Sequence, residues 1–176
     1  VEAPEVGDAA VWWMVGRWLA DGHIDKRGTA IVSVGRGKRD EFEAHLDRFG
    51  GNPPRDGSAL QYPLRDPGRV LRDILTQCGH GAAGKHLPAV AFTLPAEQAS
   101  ALLDGYLSGD GHYREDRHRW MASSVSKPLL LGIAYLAHRV HGTTASVYPG
   151  RPERDGTIDG RDVHMSQDWI LSFDLP

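Results

Sequence analysis

The sequence predicts an α+β fold built from two related halves, and three features of the 176-residue chain indicate it. An apolar run ending in Asp21-Gly22-His23 is echoed 89 residues later by a second run ending in Asp110-Gly111-His112. Segments with the alternating pattern of β-strands follow each run. With 40% hydrophobic residues, the chain can also bury a real core, either as one domain or as two small halves.

The two repeated runs predict helices that each carry a face of small residues. Gly16 and Ala20 are four positions apart, as are Gly105 and Gly109, so each pair lies on one side of its helix. Small residues at this spacing let two helix backbones approach closely. Because glycine inside a helix costs about 0.5–1 kcal/mol relative to alanine, its presence suggests a packing requirement. We therefore expect the two helices to pack against each other.

Each repeated helix is predicted to end at an aspartate, with the following glycine in a left-handed conformation. Asp21 and Asp110 would then face the negative end of the helix dipole, at a cost of about 0.3–1 kcal/mol each. If the helices pack side by side, the carboxylates also face one another, which a divalent cation between them would relieve. One Asp-Gly turn is a common turn signal. Two copies in the same order favour a shared function.

The remaining elements of the first half follow from hydrophobic periodicity and from glycine stops. The first helix is predicted to run from about residue 8 to residue 20. The other predictions are a hairpin over residues 23–34, a helix over 39–49 ended by Gly50-Gly51, a strand over 59–64 and a helix over 69–77.

The second half repeats this order in part. We predict a helix over residues 96–109, strands near 112–113 and 120–124, and a helix over 129–140. Strands are expected at 145–148 and 169–173, and the polar stretch 149–162 between them is expected to be a loop.

The two repeated stretches, Met14 to Gly22 and Leu103 to Gly111, resemble the motifs of the LAGLIDADG homing endonucleases, in the dodecapeptide form found inside inteins. The resemblance implies two pseudo-symmetric αββαββα halves with saddle-shaped antiparallel sheets and the two motif helices packed at the centre. The first half with its linker would be residues 1–95, and the second half residues 96–176. Together they would form one pseudo-dimeric endonuclease domain that acts as a monomer.

The resemblance also implies the chemistry of the site. Asp21 and Asp110 would hold Mg²⁺, with Mn²⁺ as a substitute, and the backbone carbonyls of Ala20 and Gly109 would be further ligands. Mg²⁺ takes few protein carboxylates and completes its shell with water and phosphate oxygens, which suits so sparse a set. Lys85 lies in a Lys-x-x-Pro-like element between the motifs, and in such endonucleases this lysine is an active-site residue. The implied catalytic residues are therefore Asp21, Asp110 and Lys85.

The charge of the chain bears on the implied partner, a long site in double-stranded DNA. The net charge of −3 opposes simple DNA binding, because phosphate neutralisation supplies most of the affinity of DNA-binding proteins. Basic residues nevertheless concentrate after each Asp-Gly and could form a local basic face. The candidate DNA contacts are Lys26, Arg27, Arg36, Lys38, Arg114, Arg117, Arg119, Lys127, Arg151 and Arg154.

The sequence departs from the family pattern in two ways. No lysine follows Lys127, so Lys85 has no evident counterpart in the second half, where Arg151, Arg154, Arg161 or Gln167 could substitute. Splicing motifs are also missing from the sequence, which suggests an isolated endonuclease region or an intein insert without its splicing halves. Two alternatives to an active endonuclease stay open: a catalytically degenerate DNA-binding or structural module, and an RNA maturase on the same scaffold.

The cysteine content and the hydropathy of the sequence indicate the cellular compartment of the protein. The single cysteine, Cys78, excludes an internal disulfide and a cysteine-based zinc site. The sequence contains no apolar run of transmembrane length and no recognisable signal peptide. We expect a cytoplasmic protein that associates with the nucleoid when it is bound to DNA.

Overall fold

The computed structural model describes residues 5–47, 49, 53–66, 69–158 and 160–176. The chain divides into two compact units. The first unit comprises Val1–Cys78 and Pro88–Asp110, and the second comprises Gly79–Leu87 and Gly111–Pro176. The division at residue 95 that the repeat suggests stays a prediction, because the two units are defined by contacts and not by the repeat.

The described residues form six α-helices and nine strands, and the predicted α+β class is confirmed. The helices are α1 (Ala9–Asp21), α2 (Arg39–Glu43), α3 (Val70–Leu75), α4 (Gly81–Gly84), α5 (Ala96–Asp110) and α6 (Lys127–His141). The strands are β1 (Gly22–Ile24), β2 (Ala30–Val34), β3 (Leu60–Pro63), β4 (Gly111–Arg114), β5 (Arg119–Ser124), β6 (Ala145–Pro149), β7 (Arg154–Ile158), β8 (Arg161–Met165) and β9 (Trp169–Asp174). In the part of the chain that is described, no helix has both the length and the apolarity that a bilayer crossing requires.

The core of the first unit is the pair of motif helices α1 and α5. A Cβ atom on Gly16 would overlap the carbonyl oxygen of Leu102, and one on Gly105 would overlap that of Trp13. Leu102 follows Trp13 by 89 residues, as Gly105 follows Gly16, so the two close approaches are reciprocal. The two helices are therefore in close backbone contact at both motif glycines, and the predicted packing of the small-residue faces is confirmed.

An antiparallel sheet of order β1-β2-β3 completes the first unit. The turn between β1 and β2 is held by the Asp25 carboxylate, which accepts hydrogen bonds from the backbone amides of Arg27 and Thr29, both at 2.9 Å. Gly28 follows with φ of 79°, a conformation that favours glycine. The predicted hairpin is thus confirmed, and the buried residues of β2 face the core.

The second unit is a four-stranded antiparallel sheet of order β4-β5-β9-β6 with α6 packed on it. Ala122, Leu171 and Phe173 are buried on the sheet, and Leu130, Ile133 and Leu136 are buried on the helix. Helix α6 begins at Ser126, whose hydroxyl oxygen accepts from the Leu129 amide at 3.3 Å. It ends at Gly142 with φ of 66°. Ser126 is thus the N-cap and Gly142 the C-cap of a helix that was predicted over residues 129–140.

Three local predictions were wrong. Gly22 is not left-handed but extended, with φ of −101° and ψ of 162°, so α1 passes directly into β1. Gly111 likewise begins β4. Glycine is required at position 22 for space, because a Cβ atom there would overlap the indole ring of Trp18. The indole nitrogen of Trp18 also donates to the His23 carbonyl at 3.2 Å, and this hydrogen bond fixes the change from helix to strand.

The helix predicted over residues 39–49 is shorter than expected. Helix α2 ends at Glu43, and the chain continues in turns in which the amides of His45 and Leu46 bond carbonyls three residues back. This path stacks the His45 ring on Trp13 with 3.6 Å between ring centroids. Phe42 and Phe49 are both buried, as the periodicity required. The predicted stop at Gly50-Gly51 lies outside the described residues.

The stretch predicted as a loop over residues 149–162 instead contributes most of the β7-β8 hairpin. Its strands are polar and show no apolar alternation, which is why the pattern predicted a loop. His164 links the strands, with Nδ1 2.8 Å from the Asp155 carboxylate and Nε2 2.6 Å from that of Glu153. Hydrogen bonds to these two carboxylates raise the pKa of His164 above its ordinary value. The hairpin is therefore held by polar contacts rather than by burial.

Candidate functional site

The two motif helices end beside each other in the first unit. A Cβ atom on Gly109, near the end of α5, would overlap the Cβ of Ala20, near the end of α1, and would lie 3.2 Å from Oδ2 of Asp21. Asp110 follows directly as the last residue of α5. The structure thus brings together the four residues Ala20, Asp21, Gly109 and Asp110 that the sequence analysis assigned to a metal site.

The buried hydroxyl of Tyr106 lies near the carboxylates of both motif aspartates. Tyr106 lies one turn before Asp110, and its side chain is fully buried. The pKa of its hydroxyl is raised well above the ordinary value, first by burial and then by the carboxylates of Asp110 and Asp21. The carboxylates of Asp21 and Asp110 therefore both lie near this buried hydroxyl.

Asp21 is paired with a buried arginine of its own helix. Nη1 of Arg17 donates to Oδ2 of Asp21 at 2.5 Å, and Nη2 donates to the Ser33 carbonyl at 3.2 Å. The guanidinium also lies over the Phe42 ring, 5.8 Å from its centroid. The Arg17 side chain is 2% exposed, whereas that of Asp21 is 38% exposed. The carboxylate at the end of α1 is thus compensated by the chain itself while remaining open to solvent.

A lysine binds the corresponding end of α5. Nζ of Lys38 donates to the carbonyl oxygens of Ser108 and Gly109, both at 2.7 Å. The last carbonyls of a helix have no partner inside the helix and carry its negative partial charge, so an ammonium is well placed there. Lys38 was predicted as a DNA contact, and this role stays a prediction; in the structure its ammonium binds the end of α5. Arg17 and Lys38 therefore each bring a positive charge to one of the two helix ends.

Arg17 and Tyr106 were not predicted as site residues, although the sequence contains a signal for them. Each lies four residues before its motif aspartate and directly after the motif glycine, so they occupy equivalent positions in the repeat. Residues four apart on a helix are neighbours, so the pairing of Arg17 with Asp21 could have been predicted. The contact of Lys38 has no such signal, because it joins residues 70 and 71 positions apart.

The donor atoms at the helix ends fit a hard divalent cation. Two carboxylates and the carbonyls of Ala20 and Gly109 form an all-oxygen set, which Mg²⁺ prefers. Among the described residues, no group of three or more histidine, cysteine, aspartate or glutamate side chains could hold a metal ion. A cation here would therefore depend on the two aspartates, on carbonyls and on solvent or substrate oxygens. Of these donors, the Gly109 carbonyl is also bound by Lys38.

Lys85, the third predicted catalytic residue, lies in the second unit and is buried. Its carbonyl oxygen accepts a hydrogen bond from the buried hydroxyl of Ser126 at 2.6 Å. Leu87 packs so closely on Gly132 of α6 that a Cβ atom on this glycine would lie 2.7 Å from the leucine side chain. The Lys-x-x-Pro-like element is thus anchored to α6 by backbone and side chain, and the catalytic role of Lys85 stays a prediction.

The candidate DNA contacts of the first unit differ in their surroundings. Lys26 and Arg27 are exposed in the turn between β1 and β2. Arg36 pairs with Asp56 at 2.6 Å, and both side chains are exposed. Exposed ion pairs of this kind contribute at most about 1 kcal/mol to stability, so a phosphate group could replace the Asp56 carboxylate as the partner of Arg36.

In the second unit, most of the candidate contacts also have partners within the chain. Exposed carboxylates pair with Arg114 (Asp116, 3.0 Å), Arg117 (Asp116, 3.7 Å) and Arg119 (Asp174, 2.6 Å). The Lys127 ammonium lies 4.3 Å from the centroid of the Trp169 ring. Nη1 of Arg154 approaches the Pro152 carbonyl at 3.4 Å, and Arg151 is exposed. Lys127 follows Lys38 by 89 residues, so equivalent lysines in the repeat have different partners.

Comparison with known proteins identifies the fold. Residues 97–173 match the family model described as the LAGLIDADG-like domain. A mesophilic variant of the homing endonuclease I-DmoI aligns with 97% of this chain and 91% of its own, with a TM-score of 0.59 at 9% identity. The N-terminal LAGLIDADG domain of DUF199/WhiA aligns with 100% of this chain and 80% of its own, with a TM-score of 0.55 at 7% identity. The chain therefore has the LAGLIDADG fold, and residues 97–173 match the LAGLIDADG-like domain; the resemblance to LAGLIDADG proteins that the motifs indicated is confirmed.

Two curated relatives are similar in sequence. The chain is 28% identical over 131 residues to the DNA-directed RNA polymerase subunit Rpo1C of Methanocaldococcus jannaschii. It is 31% identical over 134 residues to the DNA polymerase II large subunit of Thermococcus kodakarensis. These alignments include 72% and 74% of this chain but only 15% and 7% of the two relatives. The chain thus corresponds to a small part of each relative.

Proposed function

We propose that this chain is a site-specific, metal-dependent DNA endonuclease of the intein type, which cleaves both strands of a long double-stranded site. The observation that carries the proposal is the close approach of the two helix ends at Ala20 and Gly109, which brings Asp21 near the end of α5, where Asp110 is the last residue. The similar fold of I-DmoI supports this assignment, because I-DmoI is a homing endonuclease whose crystal structure has been determined in complex with DNA and Mn.

The residues of the chain have distinct roles in this reaction. Asp21 and Asp110, with the carbonyls of Ala20 and Gly109, would hold Mg²⁺ or Mn²⁺, which supplies Lewis-acid charge for phosphodiester hydrolysis. Arg17 fixes the orientation of the Asp21 carboxylate through the hydrogen bond described above. Tyr106 stays protonated, since its pKa is raised. We assign Lys85 to stabilise negative charge that develops on the scissile phosphate.

The intein-type assignment is supported by the small share of each polymerase relative that aligns with this chain. A similarity confined to 15% or 7% of a long polymerase subunit is what an endonuclease region inserted in a host protein would give. The proposal includes a monomer with internal pseudo-two-fold symmetry, in which residues 1–95 and 96–176 serve the two DNA strands. It also includes a cytoplasmic location, with nucleoid association through DNA.

A second candidate, a catalytically degenerate DNA-binding module, is favoured by one observation. Arg17 and Lys38 already compensate the two helix ends, so the fold does not require a metal ion for its electrostatics. The net charge of −3 also predicts a modest affinity for DNA that falls steeply with salt. This candidate predicts DNA binding without strand cleavage.

Cleavage of a duplex library separates the two candidates. The protein is incubated with randomised DNA duplexes in Mg²⁺, in Mn²⁺ and in EDTA, and newly formed DNA ends are sequenced. We expect metal-dependent double-strand cuts that share one long sequence. Asp110→Asn should lower the cleavage rate by about 10³-fold or more, because it removes a metal-binding charge. Asp110 is a better target than Asp21, whose carboxylate also pairs with the buried Arg17.

The matched control is Asp104→Asn, which makes the same change at an exposed position of the same helix. It should leave cleavage within a few-fold of the unmodified protein. DNA bound by the unmodified protein but left uncut in both metals, across a range of salt concentrations, would reject the endonuclease and establish the degenerate module.

A further inference from the structure

The ammonium of Lys38 is held at a defined position by the fold. Lys38 ends the short 3-10 helix Arg36–Lys38 that follows β2, and it is half-buried. Its two hydrogen bonds reach Ser108 and Gly109, in the last turn of α5. Since the carbonyls of a last helical turn lack partners within the helix, these oxygens can accept a side-chain donor or bind a cation. Lys38 therefore uses acceptors that would otherwise be available to another positive group.

One of these acceptors is also a candidate metal ligand. The Gly109 carbonyl belongs to the oxygen set that fits Mg²⁺, and it lies at the point where α5 meets Ala20 and Asp21. An ammonium and a divalent cation that share one carbonyl would be close enough to repel each other strongly. Arg17 is a different case, because it is fully buried and held by Asp21, Ser33 and the Phe42 ring. Lys38 is the cation with access to solvent.

We propose that Lys38 is a built-in competitor of the divalent cation, so that metal binding at the Gly109 carbonyl requires the ammonium to leave it. The inference rests on the metal site of the proposed function. It assigns to Lys38 a role in setting metal affinity. A DNA phosphate would give the displaced ammonium a new partner, so DNA and metal should each increase the affinity for the other.

Metal binding by the DNA-free protein tests this role. Mn²⁺ affinity is measured by electron paramagnetic resonance for the unmodified protein, Lys38→Met and Lys26→Met. Lys26→Met removes the same charge from an exposed position in the same unit. We expect Lys38→Met to bind Mn²⁺ about tenfold more tightly, or about 1.4 kcal/mol, and Lys26→Met to differ by less than about twofold. Asp110→Asn should weaken binding, which identifies the site being measured.

Two further measurements check that the variants are folded and test directly whether the Lys38 ammonium is displaced from the Gly109 carbonyl. Lys38→Gln should show the same gain as Lys38→Met, and circular dichroism should confirm that both variants are folded. In the unmodified protein, the Nζ resonance of Lys38, observed by ¹⁵N NMR, should shift when Mg²⁺ is added. The shift is expected because the ammonium loses its two carbonyl acceptors. The resonance of Lys26 serves as the internal reference.

The outcomes distinguish this inference from the proposed function. Tighter binding in both Lys38 variants with a shifted Lys38 resonance supports the competition, even if no DNA is cut. Equal affinities of Lys38→Met and Lys26→Met overturn it, even if the protein cleaves DNA in Mg²⁺. Absence of measurable Mn²⁺ binding in both the unmodified protein and Lys38→Met also overturns it.

Discussion

Replacing Gly105 by alanine is expected to lower the free energy of unfolding by about 3 kcal/mol, the upper end of the cost of overpacking a core. The added Cβ would overlap the backbone carbonyl of Trp13, which cannot move aside as a flexible side chain can. Alanine's better helix propensity, worth about 1 kcal/mol at most, offsets only part of this cost. Gly16→Ala should have a similar effect, because it meets the Leu102 carbonyl in the reciprocal way. Urea denaturation followed by tryptophan fluorescence measures both.

Gly35→Ala provides the matched control. Apart from its two chain neighbours, no residue has an atom within 4 Å of a Cβ placed on Gly35, and the φ of −60° at this position suits any residue. Its effect should stay within about 0.5 kcal/mol. A Gly105→Ala variant as stable as Gly35→Ala would show that α1 and α5 do not pack as described. Because both aspartates depend on this packing, that result would also remove the geometric basis of the site.

The second large effect is expected for Asp21→Ala, which should cost about 3 kcal/mol of unfolding free energy. The loss arises from Arg17, which would keep a guanidinium 2% exposed without its carboxylate. Arg17→Met should cost less, about 1–2 kcal/mol, because Asp21 is 38% exposed and water can solvate its charge. Chemical denaturation of the two variants measures this difference.

The double variant Arg17→Met/Asp21→Ala measures the interaction energy of the ion pair more directly than either single variant. Because it removes both charges, its cost should be well below the sum of the two single costs, with a coupling of at least about 1 kcal/mol. Strictly additive costs, or an Arg17→Met variant less stable than Asp21→Ala, would contradict the buried ion pair.

The sequence predicted the elements whose signals are local. Periodicity and the small residues at Gly16, Ala20, Gly105 and Gly109 were sufficient to predict two packed helices that end in aspartates. The hairpin after α1 followed from its turn residues. Each helix and the hairpin depend on residues close together in the sequence, where intrinsic preferences and side-chain spacing decide the structure. The packing of α1 on α5 joins distant residues, and it was predicted because the small-residue face occurs twice.

Features that depend on distant contacts could not be predicted. The β7-β8 hairpin has polar strands linked by His164, so no alternation of apolar residues marked it. Helix α2 ends early where the His45 ring reaches Trp13. The hydrogen bonds of Lys38 to the end of α5 were not predicted, because its acceptors are 70 and 71 positions away in the sequence. The predicted site was accordingly incomplete, because it included two carboxylates and a metal ion but not Arg17 and Lys38, the two cations of the chain at the helix ends.

Anomalous scattering from crystals of the protein grown with Mn²⁺ tests most directly whether the ends of α1 and α5 form a metal site. A peak in the anomalous difference map between the carboxylates of Asp21 and Asp110, with the Lys38 ammonium moved away from the Gly109 carbonyl, is the predicted result. Crystals at millimolar Mn²⁺ with no peak at these aspartates, and with Lys38 still bonded to Ser108 and Gly109, would contradict it.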